Sequence, residues 1–104
     1  MRLRELIQVL SKVDPDRVLK NGFGGPHSYR GYYSDLGFNP QTNVRVGDML
    51  DEAQNAIGKI FIGYKGGEFK MEEYTECWIA KWGNTGETIG PILLGYMLAN
   101  AEDK

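Results

Sequence analysis

Residues 21–40 read NGFGGPHSYRGYYSDLGFNP, a stretch that sets the single histidine of the chain and an arginine among glycines and tyrosines. Glycine permits positive φ and close approach of the backbone to another molecule, while tyrosine and arginine supply flat faces and hydrogen-bond donors. The stretch is too polar for a core and too aromatic for a plain linker. It is therefore interpreted as a recognition surface.

Two later segments have a similar composition. Residues 63–75 read GYKGGEFKMEEYT, and residues 82–91 read WGNTGETIGP. The three segments together hold most of the 14 glycines among 104 residues, and this glycine content is roughly twice the average. We expect the three segments to act together.

The N-terminal half predicts a helix followed by two strands. Leu3, Leu6, Ile7 and Leu10 recur at helical spacing, and Asp14-Pro15-Asp16 predicts a turn after a helix that ends near Val13. Residues 17–20 predict a first strand. Residues 30–38 predict a second strand, which Asn39-Pro40 is expected to stop.

Residues 46–57 carry the clearest helix pattern of the chain. The apolar residues of this helix form one stripe, made of Val46, Met49, Leu50, Ala53 and Ile57. Acidic residues favour its first turns, and Gly58 suits the position that follows the helix.

The C-terminal half predicts two strands and a last helix. Residues 59–64 favour a strand, Lys65-Gly66-Gly67 a turn and residues 75–82 a strong strand. Alternation in the second strand places Trp78 and Trp82 on one side, and we expect that side to be buried. Pro91 suits the first turn of a final helix, and residues 101–104 predict a solvated tail.

These elements predict an α+β fold. A small, mainly antiparallel sheet would pack against about three helices, and a chain of 104 residues fits one domain over residues 1–104. Aromatic residues are numerous for so small a core, and the last helix ends with Tyr96 and Met97. Both features predict a homo-oligomer.

Composition and charge exclude several classes of function. The net charge is -2 without a block of Lys or Arg, which argues against a nucleic-acid polymer as partner but leaves a small anionic ligand open. No segment reaches the roughly 18 consecutive apolar residues of a membrane span. Cys77 is the only cysteine, so neither an internal disulfide nor structural zinc is expected, as suits a reducing cytoplasm.

The residues of the first segment allow several roles. His27 could be a general base, a ligand contact or a structural loop residue, and no nucleophile stands at a spacing that would complete a catalytic set. Arg30 beside Tyr29, Tyr32 and Tyr33 could bind phosphate or carboxylate while the tyrosines stack on a base. Alternatively, the tyrosines pack on the sheet and Arg30 pairs with an acidic residue.

The other candidates favour structural roles. Gly66-Gly67 lacks the spacing of a phosphate-binding loop and suits a hairpin turn. Cys77 is expected to be a buried small hydrophobe, and Trp78 and Trp82 core or subunit contacts. Four glutamates form an acidic cluster, Glu68, Glu72, Glu73 and Glu76. This cluster could bind a cation or supply an acid-base pair, but it is more typical of a solvated edge. No metal and no cofactor are therefore predicted.

The ordered motifs resemble a family of small accessory proteins encoded by tailed bacteriophages. The resemblance covers residues 18–98 and is carried by PHSYRGYYSDLGFNP, VGDMLDEAQNAIG, GYKGGEFKMEEYT and GNTGETIGP. At the start of the second helix this chain has Arg45 where a capping Thr is expected, a difference that affects stability and not function. Such proteins are often counter-defence factors, which implies the cytoplasm of an infected bacterial host.

The resemblance and the residues together predict a binding protein that is not an enzyme. Its expected partner is a small anionic, nucleotide-like ligand, such as a cyclic nucleotide, that an oligomer sequesters. The alternative is an inhibitor that binds a host defence protein through Tyr, Trp and Arg. The expected ligand contacts are Arg30 and Lys65 for charge, Tyr29, Tyr32 and Tyr33 for stacking, and His27, Asn84 and Thr85 for polar specificity.

Overall fold

A computed structural model describes residues 1–101 and confirms the α+β class, with a mainly antiparallel sheet and three helices. The elements are α1 (Leu3–Ser11), β1 (Val18–Tyr29), β2 (Tyr32–Arg45), α2 (Val46–Ala56), β3 (Ile60–Ile62), β4 (Glu68–Lys70), β5 (Cys77–Ile79), β6 (Glu87–Thr88) and α3 (Pro91–Ala99). Of the predicted tail, Ala101 forms a β-bridge with Leu19. The other three tail residues, 102–104, lie outside the described residues.

The main sheet has the strand order β1-β2-β5-β6. β1 pairs with β2 and β5 with β6 in antiparallel fashion, whereas β2 and β5 are parallel. Parallel neighbours need a long crossover, and residues 46–76 provide it through α2 and the separate β3–β4 hairpin. The turn predicted at Lys65-Gly66-Gly67 closes that hairpin, where both glycines have positive φ.

The predicted strand at residues 17–20 is only the start of β1, which is 12 residues long. The glycine-rich residues that were expected to form an open surface are inside a strand, and Phe23 among them is fully buried. Glycine is needed there because a Cβ on Gly22 would overlap with Cγ1 of Val44 and lie 3.0 Å from Sδ of Met49. These glycines therefore allow β1 to pack closely against β2 and α2.

The prediction that Asn39-Pro40 ends the second strand is wrong, because β2 continues through Pro40 to Arg45. Pro40 lies opposite Phe23 of β1. On its other side β2 pairs with β5 only at Leu36, Gly37 and Phe38. From Asn39 onward, β2 therefore does not have to donate backbone hydrogen bonds to β5. Proline, which has no backbone N–H, is tolerated at position 40 for this reason.

The predicted helix at residues 46–57 is confirmed as α2. Three of its stripe residues are buried, and Gly58 follows the helix with a φ of 77°. Arg45 forms no side-chain cap; it pairs instead with Asp48 at 2.9 Å and Asp16 at 3.1 Å. The first amides of α2 donate to carbonyl groups of the segment between α1 and β1, Val46 to Arg17 and Gly47 to Pro15.

One hydrophobic core joins the helices to one side of the sheet. α1 contributes Leu3, Leu6 and Leu10 at the predicted spacing. The other buried members lie in the strands of the main sheet, in α2 and α3, and just after β4 and β6. They are Leu19, Phe23, Leu36, Phe38, Val46, Met49, Ala53, Ala56, Met71, Cys77, Ile89, Leu94 and Met97. Cys77 is buried, as predicted.

The strand predicted at residues 75–82 is shorter than expected, since β5 has three residues. The core lies on the Cys77 side of this strand, so the expectation that the tryptophan side is buried is wrong for Trp82, which is 50% exposed. Trp78 is half-buried. Trp82 is consequently open to solvent, whereas Trp78 is partly covered.

α3 begins at Pro91, as predicted, and buries Leu94 and Met97. None of the helices within residues 1–101 is long and apolar enough to cross a membrane. Ile92 and Tyr96 project away from the core of this domain.

Replacement of Phe38 by alanine should lower the free energy of unfolding by about 3–5 kcal/mol. Phe38 is fully buried, and its ring centroid lies 4.6 Å from that of Phe23 across the β1–β2 pair, so truncation opens a cavity. Urea unfolding followed by circular dichroism measures the change. Tyr74→Ala is the control, because Tyr74 is 68% exposed and its loss should change stability by less than about 0.5 kcal/mol. Equal losses in the two variants would contradict this account of the core.

Candidate functional site

The three glycine-rich segments meet at one end of the main sheet. Nη1 of Arg30, in the β1–β2 turn, donates a hydrogen bond of 2.9 Å to the carbonyl oxygen of Gly83. The guanidinium carbon of Arg30 lies 4.2 Å from the centroid of the ring of Tyr64, which is in the β3–β4 turn. The rings of Tyr64 and Trp82 are 6.2 Å apart. We call Arg30, Tyr64 and Trp82 the arginine–aromatic surface.

A stack of aromatic rings supports this surface from the sheet. The Tyr29 and Trp78 rings are nearly parallel, at an angle of 8° and a centroid distance of 4.4 Å. The indole Nε1 of Trp78 donates to a carboxylate oxygen of Asp35 at 2.9 Å, and the backbone amide of Gly86 donates to the Tyr29 hydroxyl at 3.1 Å. The stack therefore ties the loop of residues 83–86 to β1, β2 and β5.

His27 lies beneath the edge of Trp82 and is only 8% exposed. The two rings are 5.6 Å apart at 81°. His27 belongs to β1, not to a loop, and its Nδ1 is 2.9 Å from the carbonyl oxygen of Gly25. Because a carbonyl only accepts, Nδ1 carries a proton. Nε2 is buried over Gly37 and has no hydrogen-bond partner within the described residues.

Asn39 fixes the backbone at the start of the exposed loop. Its side-chain oxygen accepts a hydrogen bond of 3.0 Å from the Trp82 amide, and its side-chain nitrogen donates to Gly25 at 3.3 Å. Asn39 thus links the carbonyl group of Gly25, which also contacts His27, to the backbone amide of Trp82. The position of the indole is set by the strands and not by the loop alone.

The eight residues predicted as ligand contacts have different environments. Tyr29 is 4% exposed and its ring is used in the stack with Trp78, so it supports the surface from inside. Tyr32 is 62% exposed, whereas Tyr33 is half-buried with its ring 5.6 Å from that of Phe69. The other predicted polar contacts, Lys65, Asn84 and Thr85, are exposed in turns next to Tyr64 and Trp82.

Sequence reasoning missed Tyr64 and assigned Trp82 to the core or a subunit contact. Tyr64 is 44% exposed, and it lies between Arg30 and Trp82. The available signal was the position of each aromatic residue just before a glycine turn, in GYKGG and KWGN. Lys65 and Lys81 adjoin these aromatics in the sequence and are exposed, so the region combines flat rings with positive charge.

The structure allows the metal-ligating and thiol groups of the chain to be examined directly. Within residues 1–101, no group of three or more His, Cys, Asp or Glu residues is arranged to hold a metal ion. Burial raises the pKa of the Cys77 thiol to about 12, so the sulfur is not a thiolate near neutral pH. A cation held on an aromatic ring beside a half-exposed indole can bind planar, anionic groups.

Two cavities lie away from the arginine–aromatic surface. A cavity of about 490 Å³ is lined by Glu87, Thr88, Gly90, Pro91, Ile92, Leu93 and Tyr96. A cavity of about 260 Å³ is lined by Pro26, Glu52, Asn55, Ala56, Lys59 and Phe61. Neither of these two cavities is lined by any of the eight predicted contacts.

Comparisons with known proteins assign no role to this surface. No protein-family model, curated protein or solved structure matches the chain. The chemistry and geometry of the exposed side chains are therefore the basis for a functional proposal.

Native Cys77 should react with a thiol reagent at about pH 8 at least roughly 10²-fold more slowly than in denaturant, because it is buried and its pKa is raised. Absorbance after addition of an aromatic disulfide reagent, with and without guanidinium chloride, measures both rates. Fast modification of protein that keeps its native circular dichroism spectrum would contradict the assigned position of Cys77.

Asp35→Asn should raise stability at neutral pH. Burial raises the pKa of Asp35 despite the opposing hydrogen bond from Trp78, so the folded chain holds this proton more tightly than the unfolded chain. Stability from this group is therefore present at low pH and lost as pH rises through the raised pKa. Asparagine cannot ionise, yet it retains an oxygen that accepts from Trp78.

Urea midpoints at about pH 3 and about pH 7 test this linkage. The gain of Asp35→Asn over the wild type should be larger at the higher pH and shrink at the lower one. Asp51→Asn, at an exposed position of α2, is the control for loss of one negative charge. A gain that is independent of pH, or equal in the control, would count against this interpretation.

Proposed function

We propose that this chain is a binding protein without catalytic activity, and that its arginine–aromatic surface binds a planar, anionic ligand of the nucleotide class. The observation that carries the proposal is the guanidinium of Arg30, 4.2 Å from the Tyr64 ring and beside the half-exposed indole of Trp82. A base would stack on Trp82, and a phosphate would pair with Arg30.

The orientation of Arg30 supports an anion site. The hydrogen bond from Nη1 to Gly83 and the contact with Tyr64 hold the guanidinium in one arrangement before any ligand arrives. Nε and Nη2 form no hydrogen bond within residues 1–101 and can donate to two oxygens of a phosphate. Preorganisation of this kind reduces the entropy lost on binding.

Neighbouring polar residues can add charge and specificity. Lys65 follows Tyr64 in an exposed turn and supplies a second positive charge near the phosphate. Asn84 and Thr85 lie between Gly83, which contacts Arg30, and Gly86, which contacts Tyr29. Their side chains offer the donors and acceptors that distinguish one base or sugar from another.

The resemblance to small phage-encoded proteins supports a role for this binding. A protein that holds a nucleotide without converting it lowers the free concentration of that nucleotide. In an infected bacterial cytoplasm, the effect would be to sequester a host signal, such as a cyclic nucleotide, and so oppose defence.

A second candidate function is the inhibition of a host defence protein. The specific observation in its favour is the exposure of the aromatic rings of this surface, since Tyr64 is 44% and Trp82 50% exposed. Trp, Tyr and Arg are the residues that most often dominate protein interfaces. Under this alternative, the same three residues would contact a protein instead of a nucleotide.

Isothermal titration with a panel of cyclic and linear nucleotides tests the proposal. Arg30→Ala should weaken binding of the responding nucleotide by on the order of 2 kcal/mol, because a charge-assisted contact to phosphate is lost. Trp82→Ala should weaken it as well, through loss of about 1–3 kcal/mol of stacking. Both residues are exposed, so melting temperatures should change little.

Arg4→Ala is the matched control, since Arg4 is an exposed arginine on α1 that lies outside the surface. It should bind like the wild type. Heat of binding that is unchanged in Arg30→Ala would exclude the assigned anion site. A panel without any response would favour the second candidate, and recovery of a chemically altered nucleotide after incubation would overturn binding without catalysis.

A further inference from the structure

α3 is apolar on all of its sides. The sequence of this helix, PILLGYMLA, contains no charged residue. Leu94 and Met97 face the core, yet Ile92 is 90% and Tyr96 is 60% exposed. A helix on the surface of a protein usually carries polar residues on its outer side, and a helix without them is usually covered.

The exposed side of α3 alternates large and small residues. Ile92, Gly95, Tyr96 and Ala99 are all exposed, and their spacings of three, one and three place them on one face of the helix. A Cβ added at Gly95 would meet no atom within 4 Å, so the backbone at this position is open to close approach.

We propose that two copies of the chain associate through this face, with the α3 helices antiparallel about a two-fold axis between Gly95 and Tyr96. In this arrangement Ile92 is opposite the partner's Ala99, whereas Gly95 lies beside the partner's Gly95 and Tyr96 beside the partner's Tyr96. The glycines therefore allow the two backbones to approach closely, and the two tyrosine rings can pack on each other. A two-fold interface requires a surface that is complementary to itself, and this order of residues meets that requirement.

The charge of the region also favours a second copy as the occupant. The chain has a net charge of -2, so two copies repel weakly, but no charged side chain of α3 is desolvated in the contact. A basic partner would be matched by acidic residues, and among the residues that line the adjoining cavity only Glu87 is acidic. The cavity of about 490 Å³ between β6 and α3 provides room for side chains at the edge of the contact.

The size of the face sets the expected strength. α3 is about 14 Å long, and a contact between two such helices is smaller than the roughly 800 Å² per partner of a standard interface. Coverage of the β6 edge and the adjoining cavity enlarges the contact. The dimer interface is consequently smaller than a standard interface, and the dimer should dissociate at micromolar concentrations. α3 contributes no residue to the arginine–aromatic surface, so the inference is independent of the proposed function.

Sedimentation velocity from about 1 to about 500 µM tests the dimer with the full chain. The wild type should shift from 11.7 kDa to twice that mass. Gly95→Lys should raise the dissociation constant by at least roughly 10²-fold, because the added side chain blocks close approach and buries a charge. The variant should still fold, since lysine is a better helix former than glycine.

Ile62→Lys is the matched control, because Ile62 is 57% exposed on β3 and lies outside α3. It should dimerise like the wild type. A wild type that stays at 11.7 kDa throughout, or a dimer that survives Gly95→Lys, would overturn the proposal.

A second measurement tests the two-fold axis itself. Gly95→Cys places a thiol beside its own copy at the axis, so mild oxidation should give a covalent dimer, while buried Cys77 stays free. Ile62→Cys should remain uncrosslinked under the same conditions. Equal crosslinking of the two variants would show collision between molecules and count against the assigned geometry.

Discussion

The antiparallel pairing of β1 with β2 is the interaction on which the other elements depend. The pair extends from Val18–Arg45 at one end to Tyr29–Tyr32 at the other. One of its sides carries Phe23 and Phe38 into the core that α1 and α2 complete. Glycines in β1 make the packing possible, because a side chain at Gly22 would occupy the space of Val44 and Met49. Without this pairing, neither the helices nor β5 would have a surface to pack against.

The other side of the same pair builds the candidate site. His27 and Tyr29 are two positions apart in β1, and Tyr29 stacks on Trp78 of β5 while His27 supports Trp82. The turn that joins the strands presents Arg30 to Gly83 and Tyr64. The rigidity of the strands is thus transferred to exposed side chains, which suits recognition of a ligand with a fixed shape.

Apolar surface is distributed unevenly over the chain. The aromatic residues near Arg30 are accompanied by exposed positive charge, whereas α3 has no charge at all. These are different physical environments, because the first attracts anions and flat rings and the second attracts only another apolar surface. The surface proposed to bind a ligand and the face proposed to form a dimer therefore differ in charge as well as in position.

The amino-acid sequence by itself determined the features that depend on local geometry. Helical periodicity determines the apolar stripe of α2. The φ angles that glycine and proline allow determine the end of α2 at Gly58, the turn at Gly66-Gly67 and the start of α3 at Pro91. Arg30 is a candidate ligand contact on the sequence alone, because its neighbours in the sequence are tyrosines and glycines that are typical of a recognition surface. These features involve residues within a few positions of one another.

Only the tertiary structure decided the features that depend on distant residues. The glycines of β1 lie in a strand because Val44 and Met49 fill the space beside them, and β2 continues through Pro40 because β5 is too short to need its backbone donor. Tyr64 and Trp82 join Arg30 although they are far from it in the sequence, since side-chain contacts bring the separate β3–β4 hairpin and the loop after β5 to the β1–β2 turn. Local pattern cannot predict such contacts, because the free energy that forms them comes from packing across the whole sheet.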